Sequence, residues 1–148
     1  MSRLLEINNL SIHFGNTRAV DGLSLHLEPG ETLGLVGESG SGKSITALSV
    51  LRLLPESGQV SGGEILFRGD DVLKFPETQL TRFRGSGIAM IFQEPMTSLN
   101  PVFRCGHQVM EAIQLHQKIP PQEARERTLT LFERVRLPRS EEHTSELQ

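Results

Sequence analysis

The chain has 148 residues, the size of one ordinary domain. Its formal net charge of −3 argues against a nucleic-acid or anionic-lipid surface, so we expect no nucleic-acid partner. Cys105 is the only cysteine, which excludes an internal disulfide and fits a reducing compartment. The N-terminus meets a charge too early for a signal peptide, and no apolar stretch approaches the roughly 20 residues that span a bilayer. These features indicate a cytosolic protein, which can still dock onto a membrane component.

Three segments have the pattern of strands. Residues 4–14 and 23–28 alternate apolar and polar side chains, which predicts strands with one solvent-exposed face, as in an antiparallel sheet. Residues 64–68 are a third candidate, closed by Gly69. We expect these strands to form an antiparallel β-subdomain beside an α/β core.

A glycine-rich loop lies between a short apolar run at 32–36, typical of a buried parallel strand, and a predicted helix at 45–54. The loop matches the phosphate-binding pattern G-x-x-x-x-G-K-[ST] at every fixed position. The predicted nucleotide-binding residues of the loop are Gly37, Glu38, Ser39, Gly40, Ser41, Gly42, Lys43 and Ser44.

The spacing has a physical cause. Glycines let the backbone approach phosphates closely, and the following helix offers free N–H groups and the positive end of its dipole. Lys43 is expected to reach the β- and γ-phosphates of ATP, and the Ser44 hydroxyl to bind Mg²⁺. A plain glycine-rich turn that binds nothing is the alternative, but such a turn needs no lysine followed by a hydroxyl.

A second apolar run, 88–92, predicts another buried strand that ends at Gln93. Ligands of open α/β sheets bind beyond the carboxyl ends of strands, so Gln93 is a candidate for contact with the metal or the attacking water. On position alone, a simple strand cap is an equal alternative. Beyond a loop at 96–101, residues 107–118 and 122–137 have the pattern of helices and predict a small helical subdomain.

With the phosphate loop and Gln93 in place, the chain resembles the ATP-binding subunits of ABC transporters, over residues 3 to about 138. Residues 37–44 correspond to the Walker A motif of that family. Residues 90–101, Met-Ile-Phe-Gln-Glu-Pro-Met-Thr-Ser-Leu-Asn-Pro, closely resemble the Q-loop segment of the dipeptide, oligopeptide, glutathione and nickel importer group. The second match is the more specific, because many unrelated NTPases share the first.

The resemblance implies several roles. Gln93 would sense Mg²⁺ and the γ-phosphate, and Phe14 matches the aromatic residue that stacks on adenine, with a packed strand residue as an equal alternative. The region 96–118 would receive the transmembrane permease. The implied partners also include a second ATP-binding subunit, identical or different, and indirectly an extracytoplasmic solute-binding protein. The implied location is the cytoplasmic face of the cell (inner) membrane.

Parts of the family pattern are missing from the sequence. The signature motif, the Walker B aspartate with its catalytic glutamate, and the switch histidine do not occur, and Ser-Gly-Gly at 61–63 is interpreted as a turn. Residues 1–138 therefore predict an incomplete ABC ATP-binding domain. Residues 139–148 match, codon by codon, the translation of a widely used sequencing-adapter oligonucleotide and are interpreted as a non-native tail.

The function that the resemblance implies is ATP-driven import of peptides or related small solutes. Two alternatives remain open: a soluble ABC ATPase that is not a transporter, and an inactive nucleotide-binding fragment. The parent family would be ATP hydrolases, whereas the 148-residue chain itself is expected to lack turnover, because the glutamate that orients water is absent.

Overall fold

The computed structural model describes residues 3–93 and 98–136. The chain divides into two compact units, Met1–Arg84 and Gly85–Gln148. The predicted tail at 139–148 lies outside the described residues, and its interpretation stays a prediction.

The first unit is built on a four-stranded antiparallel sheet. Its strands are β1 (Leu5–Phe14), β2 (Thr17–Leu27), β3 (Gly58–Phe67) and β4 (Asp70–Asp71), in the spatial order β2-β1-β3-β4. This arrangement confirms the predicted antiparallel β-subdomain. The alternating apolar side chains of β1 and β3 enter the core, where Ile7, Leu10, Ile12 and Ile65 are fully buried.

After β4, a 3-10 turn (Val72–Lys74), helix α2 (Glu77–Arg82) and a π-helical turn (Phe83–Gly87) follow. The Phe83 ring makes edge-on contacts with the rings of Phe67 and Phe75, at centroid distances of 5.2 and 5.5 Å. This aromatic cluster fixes α2 on the end of β3.

In the middle of the sheet, a β-bulge on β1 interrupts the regular pairing with both neighbouring strands. β1 has an extra residue opposite both neighbours near Asn9, whose φ is +52°. On β3, Gly63 has a φ of +85° and lies against the Asn8 and Asn9 carbonyls. The expectation of a turn at 61–63 is therefore wrong. These residues continue β3, because the glycine that suggests a turn instead accommodates the bulge of the neighbouring strand.

Replacing Gly63 by alanine is expected to destabilise the first unit by on the order of 3 kcal/mol. A Cβ at Gly63 would lie 2.5 Å from the carbonyl oxygens of both Asn8 and Asn9, and neither backbone atom can move without opening the sheet. Urea unfolding followed by circular dichroism measures the change. Gly62→Ala is the matched control, since a Cβ there meets nothing within 4 Å; equal effects of the two substitutions would contradict this explanation.

Helix α1 (Lys43–Val50) begins two residues earlier and ends four residues earlier than the sequence predicts. Before it, the expected buried strand at 32–36 is wrong. Residues 31–38 form no regular element, Leu33 and Leu35 are about half exposed, and Val36 is 95% exposed. None of the strands described in residues 3–93 and 98–136 pairs with this run, so its apolar side chains have no sheet to enter.

The second unit contains the helices α3 (Cys105–Gln117) and α4 (Pro121–Arg134), close to their predicted positions. They pack through the buried Ala124 and Thr128 of α4, and Gly106 of α3 comes close to the Phe132 ring. The buried strand expected at 88–92 is wrong: Ile88 makes an isolated bridge, and Ile91 is 93% exposed.

Candidate functional site

The phosphate loop enters α1 through Gly42, which precedes the helix with a φ of +86°. A Cβ at this position would lie 2.6 Å from the Ala19 carbonyl oxygen and 3.1 Å from Cγ2 of Val20. Only glycine therefore lets the start of α1 approach β2 so closely. The antiparallel sheet thus positions the helix that carries Lys43 and Ser44.

Lys43 is held inside the loop. Its Nζ donates hydrogen bonds to the carbonyl oxygens of Gly37 (2.7 Å) and Glu38 (2.6 Å) and to Ser41 Oγ (3.0 Å). The loop closes on itself through the Ser41 amide, which donates to the Glu38 carbonyl at 3.2 Å. The ammonium group therefore lies at the centre of a ring of loop residues.

The N-terminal end of α1 suits an anion. No side chain caps it, and its first turn contains no acidic residue, so its leading N–H groups and its positive dipole end remain available to a ligand. At Gly37, a Cβ would lie 2.7 Å from Ser41 Oγ and 3.9 Å from Lys43 Nζ, which shows how tightly the loop surrounds the lysine. This donor set fits the phosphates of a nucleotide.

Phe14 ends β1 opposite Thr17 on β2 and Gly58 on β3. Its ring lies over Gly58, where an added Cβ would come within 2.8 Å of two ring carbons. The ring is only partly buried, so one part of it packs on β3 and another is open to solvent. Its role as an adenine contact stays a prediction.

Gln93 belongs to the second unit and is exposed. The strand that was expected to lead to it does not form, so its predicted contact with Mg²⁺ or water stays a prediction. Residues 94–97, which include part of the Q-loop-like segment, lie outside the described residues.

Gln108 organises the turn at 100–103, and sequence reasoning missed it. Its amide nitrogen donates to the carbonyls of Asn100 (2.9 Å) and Phe103 (3.0 Å), and its amide oxygen accepts from the Asn100 N–H (2.9 Å). Asn100 Oδ1 also accepts from the Val102 N–H. A single glutamine in a helix gives no pattern to detect. The turn that it holds presents Val102 and Phe103 to solvent, and Leu99, just before the turn, is also exposed.

Within residues 3–93 and 98–136, no group of three or more His, Cys, Asp or Glu side chains could hold a metal ion. Over the same residues, no helix has the length and apolar character needed to cross a membrane.

Known proteins resemble both the sequence and the fold. The sequence model of the ABC transporter family matches residues 20–147. A probable peptide ABC transporter ATP-binding protein, y4tR of Sinorhizobium fredii, is 48% identical over 139 residues, which cover 90% of this chain and 42% of that protein. The oligopeptide transport ATP-binding protein OppD of Bacillus subtilis is 42% identical over 151 residues, covering 99% of this chain and 42% of OppD.

The fold has a counterpart among solved structures. The cbiO1 protein of Clostridium perfringens, described as part of the ABC transporter complex cbiONQ, superposes with a TM-score of 0.67 at 23% identity. The match covers 90% of this chain and 51% of cbiO1. The chain thus spans roughly two fifths to one half of the proteins it matches, by the 42% coverage of OppD and the 51% coverage of cbiO1.

The expected family and fold class are therefore confirmed. The phosphate loop, the antiparallel sheet and the family match over residues 20–147 agree, and the chain belongs to the ABC transporter family.

Proposed function

We propose that the protein is the N-terminal part of an ATP-binding subunit that energises import of peptides or related small solutes. The observation that carries this proposal is the loop at 37–44, in which the Lys43 ammonium is enclosed at the open end of α1. The peptide-transport names of the relatives y4tR and OppD favour a peptide-type importer over a soluble ABC ATPase.

The loop residues bind and orient the triphosphate in this proposal. Lys43 neutralises charge between the β- and γ-phosphates, while the N–H groups of the loop and of the first turn of α1 donate to the phosphate oxygens. Ser44, exposed in that turn, would offer its hydroxyl to Mg²⁺, and Gln93 would complete the metal and water contacts. Mg²⁺ supplies neutralisation of the phosphate charge when it is bound.

Hydrolysis is proposed for the whole subunit and not for this chain. The sequence offers the phosphate-binding groups but not the glutamate expected to orient the attacking water. We therefore propose that the 148-residue chain binds ATP with Mg²⁺ without turnover. Steady phosphate release that Lys43→Ala abolishes would contradict this proposal.

The exposed turn at 100–103 is proposed as part of the contact with the permease. Gln108 holds the turn from within, so the apolar side chains of Val102 and Phe103 stay exposed without loosening the backbone. Exposed apolar groups on an ordered turn favour a protein partner. Further proposed partners are a second ATP-binding subunit and, through the permease, a solute-binding protein. The subunit would lie peripherally on the cytoplasmic face of the cell membrane.

Substituting Phe103 by aspartate in the complete gene product is expected to reduce its co-purification with the permease subunits at least tenfold, because a buried apolar contact would become a buried charge. Detergent extracts of membranes that co-express all subunits measure the effect, with ATP binding as a test of folding. Val135→Asp, at the exposed C-terminal end of α4 and outside residues 96–118, is the matched control. Unchanged capture of the Phe103 variant would rule out this surface, whereas recovery only in the soluble fraction for the unmodified protein would favour a soluble ABC ATPase.

A further inference from the structure

Helix α1 ends in a Schellman-type turn that forms without glycine. The N–H groups of Arg52 and Leu53 donate to the Ser49 and Leu48 carbonyls, at 3.0 and 2.9 Å. Arg52 takes the left-handed conformation in this turn, with a φ of +51°, which is unfavourable for a residue with a side chain. A contact from outside the helix is therefore needed to stabilise a strained turn.

Arg84 adds a side-chain cap to this turn from 32 and 33 residues away in sequence. Its Nε donates to the Leu51 carbonyl at 2.9 Å, and its Nη2 donates to the Arg52 carbonyl at 2.9 Å. Its third contact, with Glu77 Oε1, is long at 3.5 Å. A planar guanidinium can hold two carbonyl oxygens at once, and its positive charge complements the negative end of the helix dipole.

The interior of α1 contributes little to the stability of the helix, so its position depends on the contacts at its two ends. Thr46 Oγ1 donates to the Gly42 carbonyl, and Ser49 Oγ donates to the Thr46 carbonyl, so two of its buried side chains bond back to the helix backbone. Such bonds slightly destabilise and bend helices. With eight residues, α1 is also too short to be stable alone.

We propose that Arg84 is a positioning residue for the phosphate site and acts through α1; this inference rests on the proposed nucleotide function. The start of α1 is seated on β2 by the close approach of Gly42 to Ala19, and its end is held by Arg84. Because the helix is only about 12 Å long, fixing both ends sets the direction of its first-turn N–H groups and of Lys43.

The test is binding of a fluorescent ATP analogue, mant-ATP with Mg²⁺, to the 148-residue chain. Arg84→Ala is expected to lower the affinity for mant-ATP about tenfold. Arg84→Lys is expected to lower it about threefold, because lysine keeps the charge but cannot donate to both carbonyls at once. Methylguanidinium at millimolar concentration is expected to restore binding to Arg84→Ala and to leave the unmodified chain unchanged. Glu77→Gln, which removes only the long contact, and Arg125→Ala, an exposed arginine on α4, are controls expected to stay within about twofold.

Hydrogen exchange on the nucleotide-free chain tests the cap separately. The amides of Arg52 and Leu53, which bond to the Ser49 and Leu48 carbonyls, are expected to exchange faster in Arg84→Ala.

A lowered melting temperature with unchanged mant-ATP affinity and no guanidinium rescue would overturn the positioning role and leave Arg84 as a stabilising residue. If Arg84→Ala does not fold, Arg84→Lys decides by the same affinity measurement. If the unmodified chain binds no mant-ATP, the proposed nucleotide function fails, and the positioning role fails with it; faster exchange at Arg52 and Leu53 would then show a cap that serves α1 alone.

Discussion

Replacing Lys43 by alanine is expected to lower the affinity of the chain for Mg-ATP about 100-fold, since a charge-assisted hydrogen bond contributes on the order of 3 kcal/mol. Two effects combine. The phosphates lose the one cation that the loop encloses, and the carbonyl oxygens of Gly37 and Glu38 lose their common donor. Lys43→Arg is expected to lower the affinity for Mg-ATP as well, because a guanidinium does not fit a space in which an ammonium lies 2.6–3.0 Å from its acceptors.

Equilibrium titration with mant-ATP measures the affinity, and circular dichroism checks that each variant folds. Lys74→Ala is the matched control. That lysine is 81% exposed and pairs with Asp71, whose hydrogen bond and charge raise the pKa of Lys74. Its removal takes away the same formal charge at a position outside the loop, and we expect an affinity within about twofold of the unmodified chain. An Lys43→Ala chain that retains its affinity would refute the phosphate site.

The exposed run at 32–36 is expected to make the chain self-associate as its concentration rises. An apolar segment without strand partners offers its N–H and C=O groups to another chain, and Leu33, Leu35 and Val36 add an apolar contact. A double substitution, Leu33→Lys with Leu35→Lys, is expected to weaken association about 100-fold, because burying each leucine stabilises an interface by roughly 1.5 kcal/mol or more.

Sedimentation velocity over a concentration series measures the association. Leu115→Lys serves as the control, because this leucine on α3 is more exposed than either Leu33 or Leu35 but belongs to a regular helix whose backbone groups are paired. Loss of association in the control, or persistence of association in the double variant, would assign the contact to another surface.

Local patterns predicted the elements whose partners are near in sequence or within the same unit. Strand β1, the glycine-rich loop and the helices α3 and α4 appear close to where the sequence indicates, whereas β2 and β3 each begin six residues earlier than predicted. The runs at 32–36 and 88–92 failed for one reason: a continuous apolar segment shows that a strand is suited to burial, but burial requires neighbours. Among the described residues, no strand pairs with 32–36, and Ile91 remains exposed.

The sequence shows the residue types of the phosphate loop but not the contacts that support the loop. The pattern of glycines, lysine and serine predicts which groups would face a phosphate. It gives no sign that Gly42 must approach the Ala19 carbonyl, or that Gln108 holds the turn at 100–103. These contacts join residues distant in sequence or of ordinary type, so no spacing rule reveals them. The interpretation of Ser-Gly-Gly at 61–63 failed similarly, because the demand for glycine comes from the neighbouring strand.

Because three oxygen atoms already surround the Lys43 ammonium, a ligand that binds there would exchange one hydrogen-bond acceptor for another. An ammonium has three N–H donors, and here Gly37, Glu38 and Ser41 accept from it. A phosphate oxygen that binds Lys43 would therefore displace a neutral acceptor. The gain in binding free energy would be the difference between two hydrogen bonds, and it would grow with the charge of the ligand. The loop already holds its shape, so association does not lose the roughly 1–2 kcal/mol per residue that ordering a free backbone costs. Such a loop favours highly charged ligands over weakly charged ones and admits them without a slow folding step.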